Sequence, residues 1–138
     1  MEKKIDIHKA GGILLNNKKF LVSRSKGKDF FIAPGGKLEK EESSINALIR
    51  ELSEELSISV KEENLEKFET FYAPASGQED KYLQMDVFLV KKWDGEIKPA
   101  NEIEEIMWIN SSLPAGIKLG SIFQHDVFPK LKTLGLID

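Results

Sequence analysis

Apolar runs separated by turn-forming residues predict a sheet in the first third of the chain. Residues 5–15, which end in the apolar run Ile13-Leu14-Leu15, predict a strand, and residues 19–23 predict a second one. Asn16 and Asn17 between them predict a turn, so the two runs indicate a β-hairpin. Residues 30–33 predict a short apolar strand that Pro34-Gly35-Gly36 ends.

After the glycines, the spacing of apolar residues becomes that of a helix. Either Ser43 or Ser44 is a suitable helix N-cap, and the apolar positions that follow lie on one helical face. These positions are Ile45, Leu48, Ile49, Leu52 and Leu56. Acidic residues come just before this helix, where its dipole favours anions.

The second half of the chain predicts more strands and a final helix. Residues 68–73 and 82–91 predict strands joined by a polar loop at residues 74–81, and residues 105–109 predict a short strand. Residues 119–134 have a helical pattern in which Pro129 begins or kinks the second part. The order of elements predicts a mixed α/β (α+β) fold, with a mixed central sheet flanked by helices and no regular doubly wound alternation.

Composition narrows the class of protein. The 138 residues fit one domain, residues 1–138, and 41% hydrophobic residues suffice for a core. The net charge of −3 argues against binding long nucleic acids through a general electrostatic field. The absence of cysteine excludes disulfides, thiolate zinc sites and a cysteine nucleophile. The sequence has neither a signal-peptide pattern nor the ~20 apolar residues that span a membrane, so we expect a cytoplasmic protein.

Three glutamates on the predicted helix carry the chemical signal. Glu51, Glu54 and Glu55 stand at i, i+3 and i+4, so a helix places them on one face. Like charges at this spacing repel each other by roughly 0.2–0.5 kcal/mol per pair, and a divalent cation would relieve that repulsion. Carboxylate oxygens are ligands that Mg²⁺ and Mn²⁺ prefer. Taken alone, the three charges are also typical of a solvated helix face.

The spacing around these glutamates resembles the Nudix box of the Nudix hydrolase family. That pattern is a glycine, five residues, Glu, seven residues, Arg-Glu, an aliphatic residue, any residue, Glu-Glu, any residue, a glycine and an aliphatic residue. The positions in register are Gly36, Glu42, Arg50, Glu51, Leu52, Glu54, Glu55 and Ile58. The resemblance implies an α/β/α sandwich and the activity of a small MutT-like hydrolase.

One position departs from the box, because Ser57 stands where the family has its second glycine. Glycine adopts a left-handed helix C-cap at no steric cost, whereas serine does so at a cost of about 1 kcal/mol. No ligand atom is lost by this change. We therefore expect a slightly strained helix end with the chemistry retained.

The family resemblance also implies a metal site. Residues 34–39 read Pro-Gly-Gly-Lys-Leu-Glu, like the family's loop before the helix, and Gly35 and Gly36 allow a ligand to approach the backbone closely. The resemblance implies that Mg²⁺, or Mn²⁺ in its place, is bound by Glu51, Glu54, Glu55 and the Gly36 carbonyl. The metal would acidify a water that attacks phosphorus. Glu54 is the residue favoured for direct contact with that water.

Other acidic residues are implied as supporting groups. In the family, the arginine equivalent to Arg50 pairs with box carboxylates and orients them. Glu42 is its expected partner or a further metal-linked acid, although dipole complementarity at a helix start explains Glu42 nearly as well. In the cluster of Glu102, Glu104 and Glu105, we take Glu105 as the candidate for an additional ligand or general base, and a solvated loop charge is the competing interpretation.

Substrate contacts are predicted outside the acidic group. Arg24 and Lys37 are candidates for phosphate contacts because they lie beside the glycine turn or on the strand that leads to it. For Arg24, a plain surface position is the competing interpretation. Phe123 and Gln124 lie in the segment before the last helix, which reads the base in related nucleotide hydrolases.

The activity implied is Mg²⁺-dependent cleavage of a nucleoside triphosphate, including oxidised or non-standard deoxynucleotides, to monophosphate and pyrophosphate. One alternative is hydrolysis of a nucleoside diphosphate linked to another group, such as ADP-ribose. Another is a Nudix-fold module that binds nucleotides without catalysis, although such modules typically lose box carboxylates that are all present here. The expected partner is a small nucleotide, with no membrane contact, and both a monomer and a homodimer fit the resemblance.

Overall fold

A six-stranded sheet is the centre of the fold. The computed structural model describes residues 4–75, 78–120 and 122–138. The strands are β1 (Ile7–Asn16), β2 (Lys19–Ser25), β3 (Gly35–Lys37), β4 (Leu65–Ala75), β5 (Gln78–Val90) and β6 (Ile103–Ile109). The helical segments are α1 (Ser44–Leu56), a 3-10 turn (Glu62–Asn64), a π-helical turn (Phe123–Val127) and α2 (Phe128–Thr133).

The sheet is mixed, as the sequence predicts. Its strand order is β4-β5-β1-β2-β6, and β3 pairs with β1 outside this path. The β1–β5 pair is parallel, whereas the other pairs are antiparallel. The predicted mixed α/β fold is therefore confirmed. None of the described helices is long and apolar enough to cross a membrane.

Alternating side chains of β1 divide the core between the two faces of the sheet. Leu14 packs on one face with Leu48 and Leu52 of α1. Ile13 packs on the other face with Phe123 and Leu131 of the C-terminal helical segments. The helices thus cover opposite faces, which is the sandwich that the family resemblance implies.

Helix α1 has the predicted start and end. Ser43 is the N-cap, with φ −79° and ψ 159°, and its hydroxyl accepts a hydrogen bond from the Asn46 N–H at 3.1 Å. Ser57 is left-handed at the other end, with φ 62° and ψ 27°. The serine thus adopts the conformation for which the box uses glycine.

The glycine segment differs from its prediction. Residues 30–33 do not form a strand, because Phe31 and Ile32 make only isolated bridges, to Leu119 and Ser23. The strand lies instead at Gly35–Lys37, which overlaps the Pro34-Gly35-Gly36 segment that was predicted to end a strand. The reason is steric: a Cβ at Gly35, whose φ is 147°, would collide with the Ala10 carbonyl oxygen of β1, so the pairing depends on glycine.

Two further boundaries are corrected. The polar loop predicted at residues 74–81 is mostly strand, since β4 runs to Ala75 and β5 starts at Gln78. At the C-terminus the predicted helix starts late, because Leu119 bridges Phe31 and helical structure follows from Ile122. Ser76 and Gly77 of the predicted loop, and Ser121 of the predicted helix, lie outside the described residues. Pro129 stands in the first turn of α2, as predicted.

Candidate active site

Helix α1 and strand β3 bring two carboxylates against the glycine backbone. The Gly35 N–H donates a hydrogen bond to Glu55 Oε1 at 3.0 Å. A Cβ at Gly36 would lie 2.7 Å from the carboxyl carbon of Glu51. Any larger residue at position 36 would therefore push Glu51 away. The two glycines let the acidic face of α1 lie directly on the strand.

The segment of residues 98–101 is fixed against the C-terminal end of α1. This segment donates three hydrogen bonds to carbonyl groups in the last turn of α1. Carbonyl groups in the last turn of a helix have no hydrogen-bond donor within the helix. The donors and acceptors are Lys98 N to Leu56 O at 2.9 Å, Ala100 N to Glu55 O at 2.9 Å, and Asn101 Nδ2 to Glu54 O at 2.8 Å. The next residue, Glu102, is thereby held beside the helix.

Glu51, Glu55 and Glu102 form a close acidic group. Each offers one carboxylate oxygen, and these oxygens lie within 4.8 Å of one another. Glu55 is 5% exposed and the Glu51 side chain is 13% exposed, whereas Glu102 faces solvent. Oxygen ligands in this number and spacing suit a hard divalent cation.

Burial dominates the electrostatics of the two helix carboxylates in the acidic group, Glu51 and Glu55. Burial raises the pKa of Glu55 to about 8, and the nearby carboxylates of Glu51 and Glu102 add to the effect, against the opposing Gly35 hydrogen bond. Burial also raises the pKa of Glu51, with Glu54 adding to it and Arg50 opposing it. A cation placed among these side chains would stabilise their ionised forms.

Arg50 links the acidic helix to the loop before it. Its guanidinium donates two hydrogen bonds of 2.9 Å to the carboxylate of Glu42, and one of 2.7 Å to Glu51 Oε1. A further bond of 3.1 Å goes to the carbonyl of Lys37. The hydrogen bonds from Arg50 lower the pKa of Glu42 to about 2. These contacts agree with the positioning role that the resemblance implies.

Two candidate acids lie outside the close group. Glu54 is 49% exposed, and it contacts Arg50 at 3.3 Å. Glu105 pairs at 3.3 Å with Arg24, its cross-strand neighbour on β2. Glu102, which the sequence analysis passed over in favour of Glu105, occupies the position beside α1 instead. Its place depends on the contacts of residues 98–101, which leave no sequence signal.

Arg24 is occupied by protein partners. It contacts Glu104 as well as Glu105, each at 3.3 Å, and donates a 3.0 Å hydrogen bond to the carbonyl of Lys28. Its guanidinium is therefore engaged, which weakens the prediction that Arg24 contacts phosphate.

An open cleft beside the acidic group shares part of its wall with an apolar cavity. The cleft, of about 410 Å³, is lined by the glycine strand, Arg50 and the three acids. The cavity, of about 70 Å³, is lined mainly by apolar side chains, among them Phe30, Ile32 and Phe123. Phe123 is 1% exposed, so it packs as a core residue that also forms part of the cavity wall. Gln124 is exposed and does not line the cavity.

Lys9 is a site residue that the sequence analysis did not identify. It lines both the cleft and the cavity, together with Ile32 and Lys37. Burial lowers the pKa of Lys9, and Lys37 beside it lowers it further. The available signal was a lysine inside the apolar run of β1, which is unusual for a strand covered by helices.

Comparisons with known proteins agree with this geometry. A family model described as NUDIX domain matches residues 7–129. An 8-oxo-dGTP diphosphatase from Haemophilus influenzae is 35% identical over 123 residues, which cover 84% of this chain and 85% of that protein. An 8-oxo-dGTP diphosphatase from Buchnera aphidicola is 37% identical over 83 residues, covering 59% of this chain and 63% of that protein's length. In fold, the chain is similar to a MutT structure from a study of Aliivibrio salmonicida and Vibrio cholerae, with a TM-score of 0.72 and 26% identity over 93% of this chain and 98% of that one.

Proposed function

Because the chain belongs to the NUDIX domain family, and is accordingly a hydrolase of phosphoric anhydride bonds, we propose that it cleaves a nucleoside triphosphate to the monophosphate and pyrophosphate. An oxidised or non-standard deoxynucleotide is the favoured substrate. The names of the 8-oxo-dGTP diphosphatase relatives support this class of substrate. The structural observation behind the proposal is the close group of Glu51, Glu55 and Glu102 at the edge of the cleft.

Mg²⁺ is the proposed ion, and Mn²⁺ is expected to substitute for it. Opposite ligands of one octahedral Mg²⁺ are about 4.2 Å apart, since each lies about 2.1 Å from the ion. The 4.8 Å spacing within the acidic group therefore needs only small side-chain movements to fit. Glu51, Glu55 and Glu102 would hold the ion, with the Gly36 carbonyl as a further ligand. When bound, the ion neutralises charge on the diphosphate and acidifies a coordinated water.

The protein's own residues then orient the site. Arg50 is proposed as a positioning residue, because it donates hydrogen bonds both to Glu51, at 2.7 Å, and to Glu42 on the preceding loop, at 2.9 Å. Direct contact with the attacking water is assigned to the close acidic group. Glu54 receives a supporting role through Arg50, since its side chain is half exposed outside that group. Lys37 lines the cleft and is retained as a phosphate contact.

The apolar cavity is the proposed site for the base. A nucleobase needs a flat apolar surface, and Phe30, Ile32 and Phe123 provide one beside the cleft. Phe123 therefore keeps its predicted role as a contact residue. Gln124 is not proposed as a base contact, because it does not line the cavity.

A substrate panel tests the proposal. The folded protein would be incubated with Mg²⁺ and nucleoside triphosphates, oxidised deoxynucleoside triphosphates, ADP-ribose or dinucleoside polyphosphates. We expect equal amounts of pyrophosphate and nucleoside monophosphate from one or more triphosphates, and no release when the metal is chelated. The matched Glu55→Gln variant controls for contaminating hydrolases. Hydrolysis of ADP-ribose alone would replace the proposed substrate, and no hydrolysis of any compound would refute the proposal.

A further inference from the structure

Lys9 lies where the acidic cleft meets the apolar cavity. Its side chain lines both spaces, and so does that of Lys37. The two lysines are register partners on the antiparallel strands β1 and β3. Paired residues of this kind project to the same face of a sheet, with Cβ atoms about 4.5–5.5 Å apart. Two ammonium groups therefore stand side by side at the junction.

Neither ammonium group is paired within the part of the chain that the structure describes. The side chains of Lys9 and Lys37 make no hydrogen bond and no ion pair to any described residue. Arg50, which also lines the cleft, is by contrast engaged, since it binds Glu42 and Glu51. Like charges directly opposite each other on paired strands are destabilising. An arrangement that places two of them beside a cleft favours an anion between them.

Glu51 and Glu55 offer the competing explanation for Lys9. Both carboxylates attract its charge, although neither approaches within the 4.0 Å of an ion pair. In that case Lys9 would only offset the negative charge of the acidic group. The position of Lys9 on the wall of the apolar cavity is not required by such a role, because a countercharge needs only the cleft.

We propose that Lys9, with Lys37 opposite it, binds a phosphate oxygen of the substrate, on the phosphate next to the group held in the apolar cavity. The inference rests on the proposed function, in which the cleft holds the diphosphate and the cavity holds the base. An ammonium at the junction is placed to contact the phosphate that stays with the nucleoside, while the acidic group faces the phosphates that carry metal. Lys9 would thus be a substrate-binding residue.

Two substitutions separate the explanations. Lys9→Met keeps the length of the side chain and removes its charge, and Lys9→Arg keeps the charge. With the best triphosphate of the panel, we expect Lys9→Met to raise KM about tenfold or more with kcat within about threefold, and Lys9→Arg to recover most of the loss. Lys19→Met is the matched control. Lys19 is an exposed lysine on β2 that pairs with Asn16, at the opposite end of β1 from Lys9. We expect Lys19→Met to leave KM unchanged.

Binding of Mn²⁺ alone and of a non-hydrolysable α,β-methylene nucleoside triphosphate provides a readout without turnover. Lys9→Met should weaken the Kd for the nucleotide about tenfold while leaving the Kd for Mn²⁺ within about threefold of the original protein. An unchanged nucleotide Kd with a tighter Mn²⁺ Kd would overturn the proposal and make Lys9 a countercharge. Since the binding arm needs no hydrolysis, failure of the proposed function would appear separately, as absence of turnover in the unsubstituted protein.

Discussion

A buried carboxylate lies at each end of α1, and the pKa values of the two are shifted in opposite directions. Asp86 on β5 is 6% exposed and lies against the start of the helix, and Glu55 near the end of the helix is 5% exposed. Asp86 is surrounded by hydrogen-bonding side chains, which are Ser44, Thr70 at 2.9 Å, Gln84 at 3.2 Å and His8 at 2.7 Å. Glu55 receives one backbone hydrogen bond, from Gly35, and otherwise faces Glu51 and Glu102.

Equal burial therefore has different consequences at the two ends. Burial alone would raise the pKa of Asp86, but the hydrogen bonds from Ser44, His8 and their neighbours lower it well below its usual range. At Glu55 burial prevails and the pKa rises to about 8. The charge of Asp86 is satisfied inside the protein, so that end of the helix is complete. The charge of Glu55 is not compensated in this way. A buried carboxylate without compensation is expected where a protein binds an external cation.

Removing the carboxylate of Glu55 should have the largest effect on activity. Glu55→Gln keeps the size of the side chain but removes a proposed ligand, so we expect turnover to fall by at least ~100-fold with the fold intact. Steady-state kinetics with Mg²⁺ and circular dichroism would measure the two quantities. Activity within tenfold of the original protein would exclude Glu55 from the metal site.

Glu54→Gln is the matched comparison for that substitution. The sequence alone favours Glu54 for contact with the attacking water, which would predict a loss of at least ~100-fold on its replacement. Because the structure places Glu54 half exposed beside Arg50, we now expect a loss of about tenfold. A larger loss from Glu54→Gln than from Glu55→Gln would restore the original assignment.

The stability of the metal-free protein should depend on pH in opposite directions at the two ends. Glu55 has a folded pKa raised from 4.5 to about 8, so its contribution is present below pH 4.5 and is lost as the pH rises through this window. We expect a loss on the order of 3 kcal/mol between pH 5 and pH 8, measured by urea unfolding with chelator. Asp86 has a lowered pKa, so its contribution is present above the unfolded value of 3.8 and is lost as the pH falls below it.

Glu55→Gln provides the control for this titration. The variant should lose the decline between pH 5 and pH 8 and keep the decline in acid. Saturating Mg²⁺ should also reduce the decline in the unsubstituted protein, because a ligand of the folded state adds stability. A decline that persists unchanged in Glu55→Gln would assign it to another group.

Asp86→Asn should reduce stability more than activity. The amide cannot accept from all the donors around it, so we expect a loss of about 1–2 kcal/mol in the free energy of unfolding at pH 7. The Kd for Mn²⁺ should change by less than about threefold, since Asp86 lies outside the acidic group. A strong loss of Mn²⁺ binding in folded Asp86→Asn would mean that the two ends of α1 are not independent.

The same two regions show what a sequence can predict. The apolar spacing of α1 follows from local periodicity and was predicted correctly. Of its three glutamates, Glu51 and Glu55 lie in the close acidic group, whereas Glu54 lies outside it. The position of Glu102 follows from hydrogen bonds between residues 98–101 and the end of α1. Such contacts join distant parts of the chain and have no periodic signal, which explains why Glu105 was chosen instead. The pairing of Gly35–Lys37 with β1 was missed for the same reason, because glycines predict turns unless the approaching strand is known.

Ser57→Gly should have the smallest effect. Glycine removes the cost of a left-handed serine, about 1 kcal/mol, but also removes the 3.2 Å hydrogen bond from Ser57 Oγ to the Lys98 carbonyl. We therefore expect a free energy of unfolding that is unchanged or higher by up to ~1 kcal/mol, with unchanged activity. Thermal unfolding would measure it. A clear loss of stability would show that Ser57 itself holds residues 98–101 in place. In that case, activity should fall in the same variant, because Glu102 follows directly after that segment.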